Sequence, residues 1–154
     1  MNIAIANRQR LKKLDLRLLK KITAGLLEEL DITDATLEIN VLGAEEMAAL
    51  NETFLNHEGP TDVITFDYAS RASKLQGEIF VCVDEALLQA KRFKTTWQSE
   101  IVRYIVHGTL HLLGHDDTSA VVRRRMKREE NLHLRKLAGK FSLAQINRPS
   151  KLRA

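Results

Sequence analysis

Hydrophobic residues recur with two different spacings along this 154-residue chain, one typical of strands and the other typical of helices. Segments rich in β-branched residues that alternate with polar ones are predicted to be strands, at residues 2–6, 36–42, 61–67 and 77–83. A longer stretch places leucine or isoleucine at every third or fourth position, at Leu11, Leu14, Leu18, Ile22, Leu26 and Leu30. Such spacing is typical of the buried stripe of an amphipathic helix.

Further helical segments fill the spaces between and after the strands. The second helix is predicted at residues 44–55 and the fifth at about residues 119–138. Asp84 is predicted to cap the third helix, because its short carboxylate can accept a hydrogen bond from a first-turn amide. Thr95 and Gln98 have the spacing of a capping box at the start of the fourth.

The composition leads us to expect one soluble globular domain. Hydrophobic residues make up 44% of the chain and charged residues 29%, and no apolar run approaches the roughly 18 residues of a membrane span. The N-terminus lacks a secretory pattern, so we expect a cytoplasmic protein without a membrane segment. Since strands and helices do not alternate strictly, we predict one α+β domain at residues 1–141 and a basic C-terminal tail at residues 142–154.

Positive charge is concentrated near the C-terminus. The net charge is only +4, yet residues 121–154 contain eleven Lys or Arg residues and two acidic ones. The predicted fifth helix holds a basic cluster that could neutralise phosphates, at Arg123, Arg124, Arg125, Lys127 and Arg128. A solvated helix face is the alternative interpretation of the same residues.

The stretch from His107 to Asp117 has the order H-x-x-x-H-x-x-G-x-x-D. Four residues advance a helix by about 400°, so His107 and His111 are predicted to share one face and to reach one ion. Gly114 can end the helix in the left-handed conformation and turn the chain back toward them. This order resembles the metal loop of metzincin-type hydrolases, whose third ligand comes three residues after the glycine, here Asp117.

The third ligand has two candidates. Asp117 is favoured, and His115 is the alternate because imidazole is an excellent zinc ligand, although the turn leaves it less reach. Two imidazoles and a carboxylate suit one zinc ion, and a fourth position open to water would make the site catalytic. Asp116 is predicted to assist by orienting water or a ligand, and a local turn aspartate is the alternative.

Earlier on the same helix, Glu100 and Arg103 lie one to two turns before His107 and close to its face. Arg103 is predicted to contact a phosphate or to orient a ligand, and a salt bridge with Glu100 is the alternative. The opposite side of the helix is apolar and is predicted to pack against the sheet, at Trp97, Ile101, Ile105, Gly108 and Leu112.

The sequence resembles the YbeY endoribonuclease family. HGTLHLLGHD is similar to its metal signature, LNETFLNHEGPTDVITF to its second signature, and GEIFVCVDEA to the strand and helix start that follow. The resemblance implies a zinc-dependent, single-strand-specific endoribonuclease that matures the 3′ end of 16S rRNA and acts in ribosome quality control. It also implies a four-stranded mixed sheet packed against about five helices, with RNA and the small ribosomal subunit as partners.

Two positions depart from the family pattern. The family usually has histidine where this chain has Asp117, and a carboxylate ligand should change the metal affinity. The family also usually has arginine after the aromatic residue of its second signature, where Leu55 follows Phe54. Arg103 or the basic fifth helix could hold the phosphate in place of that arginine.

Two other classes of function stay open. One is a non-catalytic RNA- or ribosome-binding factor whose metal only stabilises the fold. The other is a metal-dependent peptidase, which Gly108 disfavours because zinc peptidases have a glutamate general base directly after the first histidine. RNA carries a nucleophile in its own 2′-hydroxyl, so an endoribonuclease needs less help from a protein base.

Overall fold

One four-stranded sheet and five α-helices make up the fold in the computed structural model, which describes residues 1–59, 61–71, 74–116 and 118–148. In chain order the elements are β1 (Asn2–Asn7), α1 (Leu16–Glu29), β2 (Asp34–Leu42), α2 (Ala44–Leu55), β3 (Val63–Asp67), β4 (Lys74–Cys82), α3 (Val83–Phe93), α4 (Trp97–Leu112), α5 (Ala120–Lys140) and a short 3₁₀ helix (Leu143–Ile146). The predicted α+β class is confirmed. In the described ranges, no helix has the length and apolarity needed to cross a bilayer.

The sheet is mixed, as predicted, with the strand order β1-β2-β4-β3. β1, β2 and β4 run parallel, and β3 pairs antiparallel with β4. In β2 and β4 alternate residues point to opposite faces, so Ile39 and its partner Ile79 are fully buried in the main core. That core lies between one face of the sheet and α1 and α4, and α3 and α5 pack on α4 and add buried residues to it. α2 covers part of the other face around Met47.

α4 approaches the sheet closely at Gly108. A Cβ at this position would lie 2.9 Å from Ile79 Cγ2 and 3.1 Å from Thr65 Cγ2, so only glycine fits without a shift of its neighbours. The predicted apolar side of α4 is confirmed, because Trp97, Ile101, Ile105 and Leu112 are all buried. This packing decides which side of α4 is left for the histidines.

The third helix is not capped as predicted. α3 begins at Val83 with Cys82 as its N-cap residue, and Asp84 lies inside its first turn. The Asp84 carboxylate instead accepts a hydrogen bond of 2.8 Å from the amide of Ala44, the first residue of α2. Asp84 therefore caps a neighbouring helix, which no local sequence pattern indicates.

The predicted capping box of α4 is also wrong, by one residue. The N-cap residue is Thr96, whose hydroxyl accepts a hydrogen bond of 3.2 Å from the Ser99 amide. Thr95 lies before the helix, and its hydroxyl donates to Glu100 Oε2 at 2.9 Å. Because Thr95 and Thr96 are adjacent, the local sequence does not determine which of them caps the helix. The hydrogen bond of Thr95 to Glu100 accompanies capping by Thr96.

The first helix is shorter than its leucine stripe predicts. α1 begins at Leu16, and the Asp15 carboxylate caps it by accepting a hydrogen bond of 3.0 Å from the Leu18 amide. Leu11 precedes the helix and is 56% exposed, whereas Leu14 is buried although it is not helical. Asp15 therefore sets the start of the helix, because its capping bond stabilises the first turn.

The segment predicted to be a basic tail begins inside the packed domain. Ile146 is fully buried, and its carbonyl accepts a hydrogen bond of 2.9 Å from the Asp15 amide next to α1. The short helix Leu143–Ile146 therefore closes the core beside α1. Residues 149–154 of the predicted tail lie outside the described residues.

A buried ionic cluster joins the end of α1 to α5. His133 Nδ1 lies 3.0 Å from Glu29 Oε2, with both side chains only 7% and 6% exposed. His133 Nε2 lies 3.5 Å from the more exposed carboxylate of Glu129, and Lys140 Nζ lies 3.6 Å from Glu29 Oε1. His133 thus connects α5 to α1 through Glu29, whereas Glu129 lies one turn earlier on α5 itself.

Replacing His133 with alanine is expected to lower the free energy of unfolding by about 3 kcal/mol, because it leaves the buried Glu29 carboxylate without its nearest partner. Urea denaturation followed by circular dichroism measures the loss. Glu129→Ala is the matched control and should cost less than about 1 kcal/mol, since this side chain is 37% exposed. Equal losses in the two variants would contradict a structural role of the Glu29–His133 pair.

Candidate metal centre and nucleic-acid cleft

The imidazoles of His107 and His111 lie side by side, one helical turn apart on α4. Both residues are half-buried, and their ring centroids are 4.9 Å apart with the ring planes at 63°. A tetrahedral ion bound by two imidazoles at about 2.0–2.1 Å holds their centroids roughly 5 Å apart. The separation of the two rings would allow both to bind one ion, and it is also that of an edge-to-face ring contact.

Glu130 of α5 fixes the orientation of His107. Its Oε2 contacts His107 Nδ1, and the Glu130 side chain is only 7% exposed. A carboxylate on Nδ1 favours one tautomer and leaves Nε2 as the nitrogen that could bind a metal. Metal-binding histidines commonly have such a partner, and no local sequence spacing indicates this one.

Arg103 lies behind this carboxylate. Its Nη1 is 3.4 Å from Glu130 Oε1 and donates to Asn131 Oδ1 at 2.8 Å, and its Nε is 3.9 Å from Glu100 Oε1. Glu100 is 5% exposed and also accepts the Thr95 hydroxyl. One guanidinium therefore faces two buried carboxylates, and Glu130 is the one that contacts His107. The predicted pairing of Arg103 with Glu100 is present, and its predicted role at a ligand or a phosphate stays a prediction.

The helix ends at Gly114, as the motif predicts. Gly114 has a φ of 97°, its amide donates to the His111 carbonyl at 3.0 Å, and the His115 amide donates to the Leu110 carbonyl at 3.0 Å. These two bonds form a Schellman motif, which reverses the chain after α4. The chain therefore turns away from the helix axis at Gly114, as the predicted metal loop requires.

Both predicted candidates for the third ligand, Asp117 and His115, follow this turn. Asp117, the predicted ligand, lies outside the described residues. Within the described residues no three His, Cys, Asp or Glu side chains form a group able to hold a metal, so His115 does not complete such a group with the histidine pair. Asp116 is exposed, and its carboxylate accepts from the amide and hydroxyl of Thr118 at 3.3 and 3.2 Å, as a turn aspartate does.

A cleft of about 800 Å³ opens beside His107, between α3, α4 and α5. Arg123, Arg124, Lys127 and Glu130 line it from α5, spaced as one face of a helix. Arg125 and Arg128 are exposed but do not line the cleft. The predicted RNA-binding cluster is thus divided, and three of its five cations border the candidate site together with Arg103.

Leu55, one of the two residues that depart from the family pattern, does not line this cleft, and neither does its neighbour Phe54. Phe54 is 62% exposed and packs edge-on against Phe66, with ring centroids 5.5 Å apart. Leu55 ends α2 and is 44% exposed. Asp62, from the same signature, does line the cleft, and its carboxylate accepts the Val63 amide at 2.8 Å.

Comparisons with known proteins agree on one family. Residues 4–138 match the family model described as Endoribonuclease YbeY. The Endoribonuclease YbeY of Chlorobium phaeovibrioides is 36% identical over 124 residues, which cover 80% of this chain and 83% of that protein. The Endoribonuclease YbeY of Chlorobium limicola is 29% identical over 150 residues, which cover 97% and 100%. A solution structure from Thermotoga maritima has a similar fold, with a TM-score of 0.66, 23% identity and 99% of both chains covered.

Proposed function

Because the chain belongs to the YbeY endoribonuclease family, we propose that it is a zinc-dependent endoribonuclease that cleaves single-stranded RNA. The proposal includes maturation of the 3′ end of 16S rRNA on the small ribosomal subunit in the cytoplasm. The observation that carries it is the imidazole pair of His107 and His111, with Glu130 on His107 Nδ1, beside a cleft with a basic wall.

The donor chemistry of the site fits zinc. His107, His111 and Asp117 would hold the ion, and two imidazoles with one carboxylate form a donor set that zinc accepts in catalytic sites. When bound, zinc supplies Lewis-acid stabilisation of the charge that develops on the scissile phosphate. Every other part of the reaction falls to the residues of the chain and to the RNA.

The residues around the histidine pair position it and hold the RNA backbone. Glu130 keeps His107 in one tautomer, and Arg103 neutralises part of the charge that Glu130 and Glu100 bring into the protein. Arg124 and Lys127 border the cleft within reach of a strand that lies beside His107. They supply sequence-independent attraction for phosphates, as an RNA-processing enzyme requires.

A peptidase is disfavoured by the packing of α4. The position after the first histidine, Gly108, faces Ile79 and Thr65 of the sheet, so a glutamate there would collide with the core. Hydrolysis of a peptide would need a general base from elsewhere. RNA cleavage can use the 2′-hydroxyl of the substrate as the nucleophile, so this objection does not apply to it.

The first test concerns the third metal ligand. Zinc content after dialysis, and cleavage of a single-stranded oligoribonucleotide, should both be lost in His111→Ala and strongly reduced in Asp117→Ala, because each variant removes a donor. His115→Ala should retain zinc. Loss of zinc from His115→Ala but not from Asp117→Ala would reverse the assignment. RNA binding that persists in His111→Ala, with no zinc-dependent cleavage by the wild type, would select the non-catalytic binding factor.

The second test concerns Glu130. Glu130→Gln should lower the zinc affinity by about 10- to 100-fold, because an amide can hydrogen-bond His107 Nδ1 in either tautomer and no longer selects one. Competition with a chromophoric chelator measures the affinity. Glu129→Gln is the matched control, since the neighbouring carboxylate contacts His133 instead. Unchanged zinc affinity in Glu130→Gln would show that Glu130 does not support the metal.

The third test separates the two faces of α5. Arg124→Ala with Lys127→Ala should make the salt dependence of single-stranded RNA binding shallower, by about 0.7 in the log–log slope for each phosphate that the variant no longer neutralises. Arg125→Ala with Arg128→Ala removes the same charge from outside the cleft and should change the slope less. Equal effects of the two double variants would contradict binding in the cleft.

A further inference from the structure

The wall of the cleft opposite α5 carries an exposed aromatic ring. Phe93, the last residue of α3, is 60% exposed and lines the cleft. Leu88 on the same helix is equally exposed but does not line the cleft. Phe93 is therefore the large apolar side chain of α3 that faces the cleft rather than bulk solvent.

The surroundings of Phe93 are cationic. The Arg92 guanidinium carbon lies 5.3 Å from the centroid of the Phe93 ring. Across the cleft are Arg124 and Lys127, and α4 packs against both α3 and α5 between the two walls. An aromatic ring facing a basic wall is the arrangement by which proteins hold single-stranded nucleic acids, with bases on the ring and phosphates on the cations.

The floor of the cleft offers polar groups as well. Tyr104 is only 3% exposed, and its hydroxyl has no hydrogen-bond partner among the described residues. Burial, and next the nearby Asp62 carboxylate, raise the pKa of Tyr104, so the hydroxyl stays protonated and remains a donor. Gln89, one turn before Phe93, also lines the cleft, and its amide can both donate and accept. A buried polar group without a partner indicates a ligand that is polar at its inner edge.

We propose that this wall is a base-binding site. One unpaired base of the RNA stacks on Phe93 with its edge toward Gln89 and Tyr104, and the adjoining phosphates lie against Arg124 and Lys127. The inference rests on the proposed endoribonuclease function and names the part of the substrate that the cleft recognises. It gives a physical reason for single-strand specificity, because a base inside a duplex cannot leave its stack to reach Phe93 without an energetic cost.

The test uses the full chain with its metal chelated, so that binding is measured without cleavage. A single-stranded oligoribonucleotide carrying one 2-aminopurine should lose fluorescence on binding, because stacking on an aromatic ring quenches this base. Phe93→Leu should abolish the quenching and weaken binding by about fivefold or more, since base–aromatic stacking contributes at least that much. Phe93→Tyr should restore both, and Leu88→Ala should behave as the wild type.

Several results would overturn the base-binding site. The first is that Phe93→Leu binds and quenches the oligonucleotide as the wild type does. The second is that Leu88→Ala loses as much binding as Phe93→Leu. The third is that an acidic peptide binds as tightly as the oligonucleotide and also depends on Phe93. Adenosine monophosphate bound as tightly as the oligonucleotide would assign the site to a free nucleotide. Zinc content and cleavage by the wild type are measured separately. Phe93-dependent binding in a protein that neither holds zinc nor cleaves RNA would therefore refute the proposed enzyme and leave the base-binding site standing.

Discussion

The close contact between α4 and the sheet at Gly108 constrains which side of α4 faces the sheet. With no side chain at this position, the helix approaches Ile79 and Thr65 closely enough that a Cβ would be in collision. The rotation of α4 about its axis is then determined, and His107 and His111 emerge beside the cleft rather than inside the core. α3, which carries Phe93, and α5, which carries Arg124 and Lys127, both pack against α4, the helix that carries the two histidines.

Charge balance is the second constraint on the site. Glu100 and Glu130 are both buried, and Arg103 is the cation that contacts them. The Glu130 carboxylate contacts His107 directly, whereas Arg124 and Lys127 border the same cleft. The site therefore places negative charge next to the histidine pair and positive charge along the wall where phosphates would lie.

The sequence predicts those features that depend on neighbouring residues. Residues 44–55 form the second helix as predicted, and the i, i+4 spacing of the histidines and the turn at Gly114 are local properties of one segment. Features that depend on distant segments were missed. Asp84 caps α2 from another element, and Glu130 reaches His107 from a different helix. No spacing rule connects these pairs, because packing brings them together.

One missed feature was present in the sequence. Arg123, Arg124, Lys127 and Glu130 have the spacing of a single helical face, whereas Arg125 and Arg128 fall elsewhere. The periodicity of the basic cluster could therefore have separated its cleft-lining members from the others. It could also have identified Glu130 as the acidic residue on their face. The number of cations in a segment does not show this division, whereas their helical positions do.

The attachment of α5 at its C-terminal half has a consequence for its other end. The helix has 21 residues, or roughly 31 Å of length, and the Glu29–His133 pair fastens it to α1 beyond Glu130. Because a helix is stiff, the contact at His133 constrains the rotation of α5 about its own axis. This rotation determines the directions of its other side chains. Loosening the Glu29–His133 pair would disturb the helix that carries both Glu130 and the cations of the cleft. A defect in catalysis could thus originate at an ionic pair that no substrate touches.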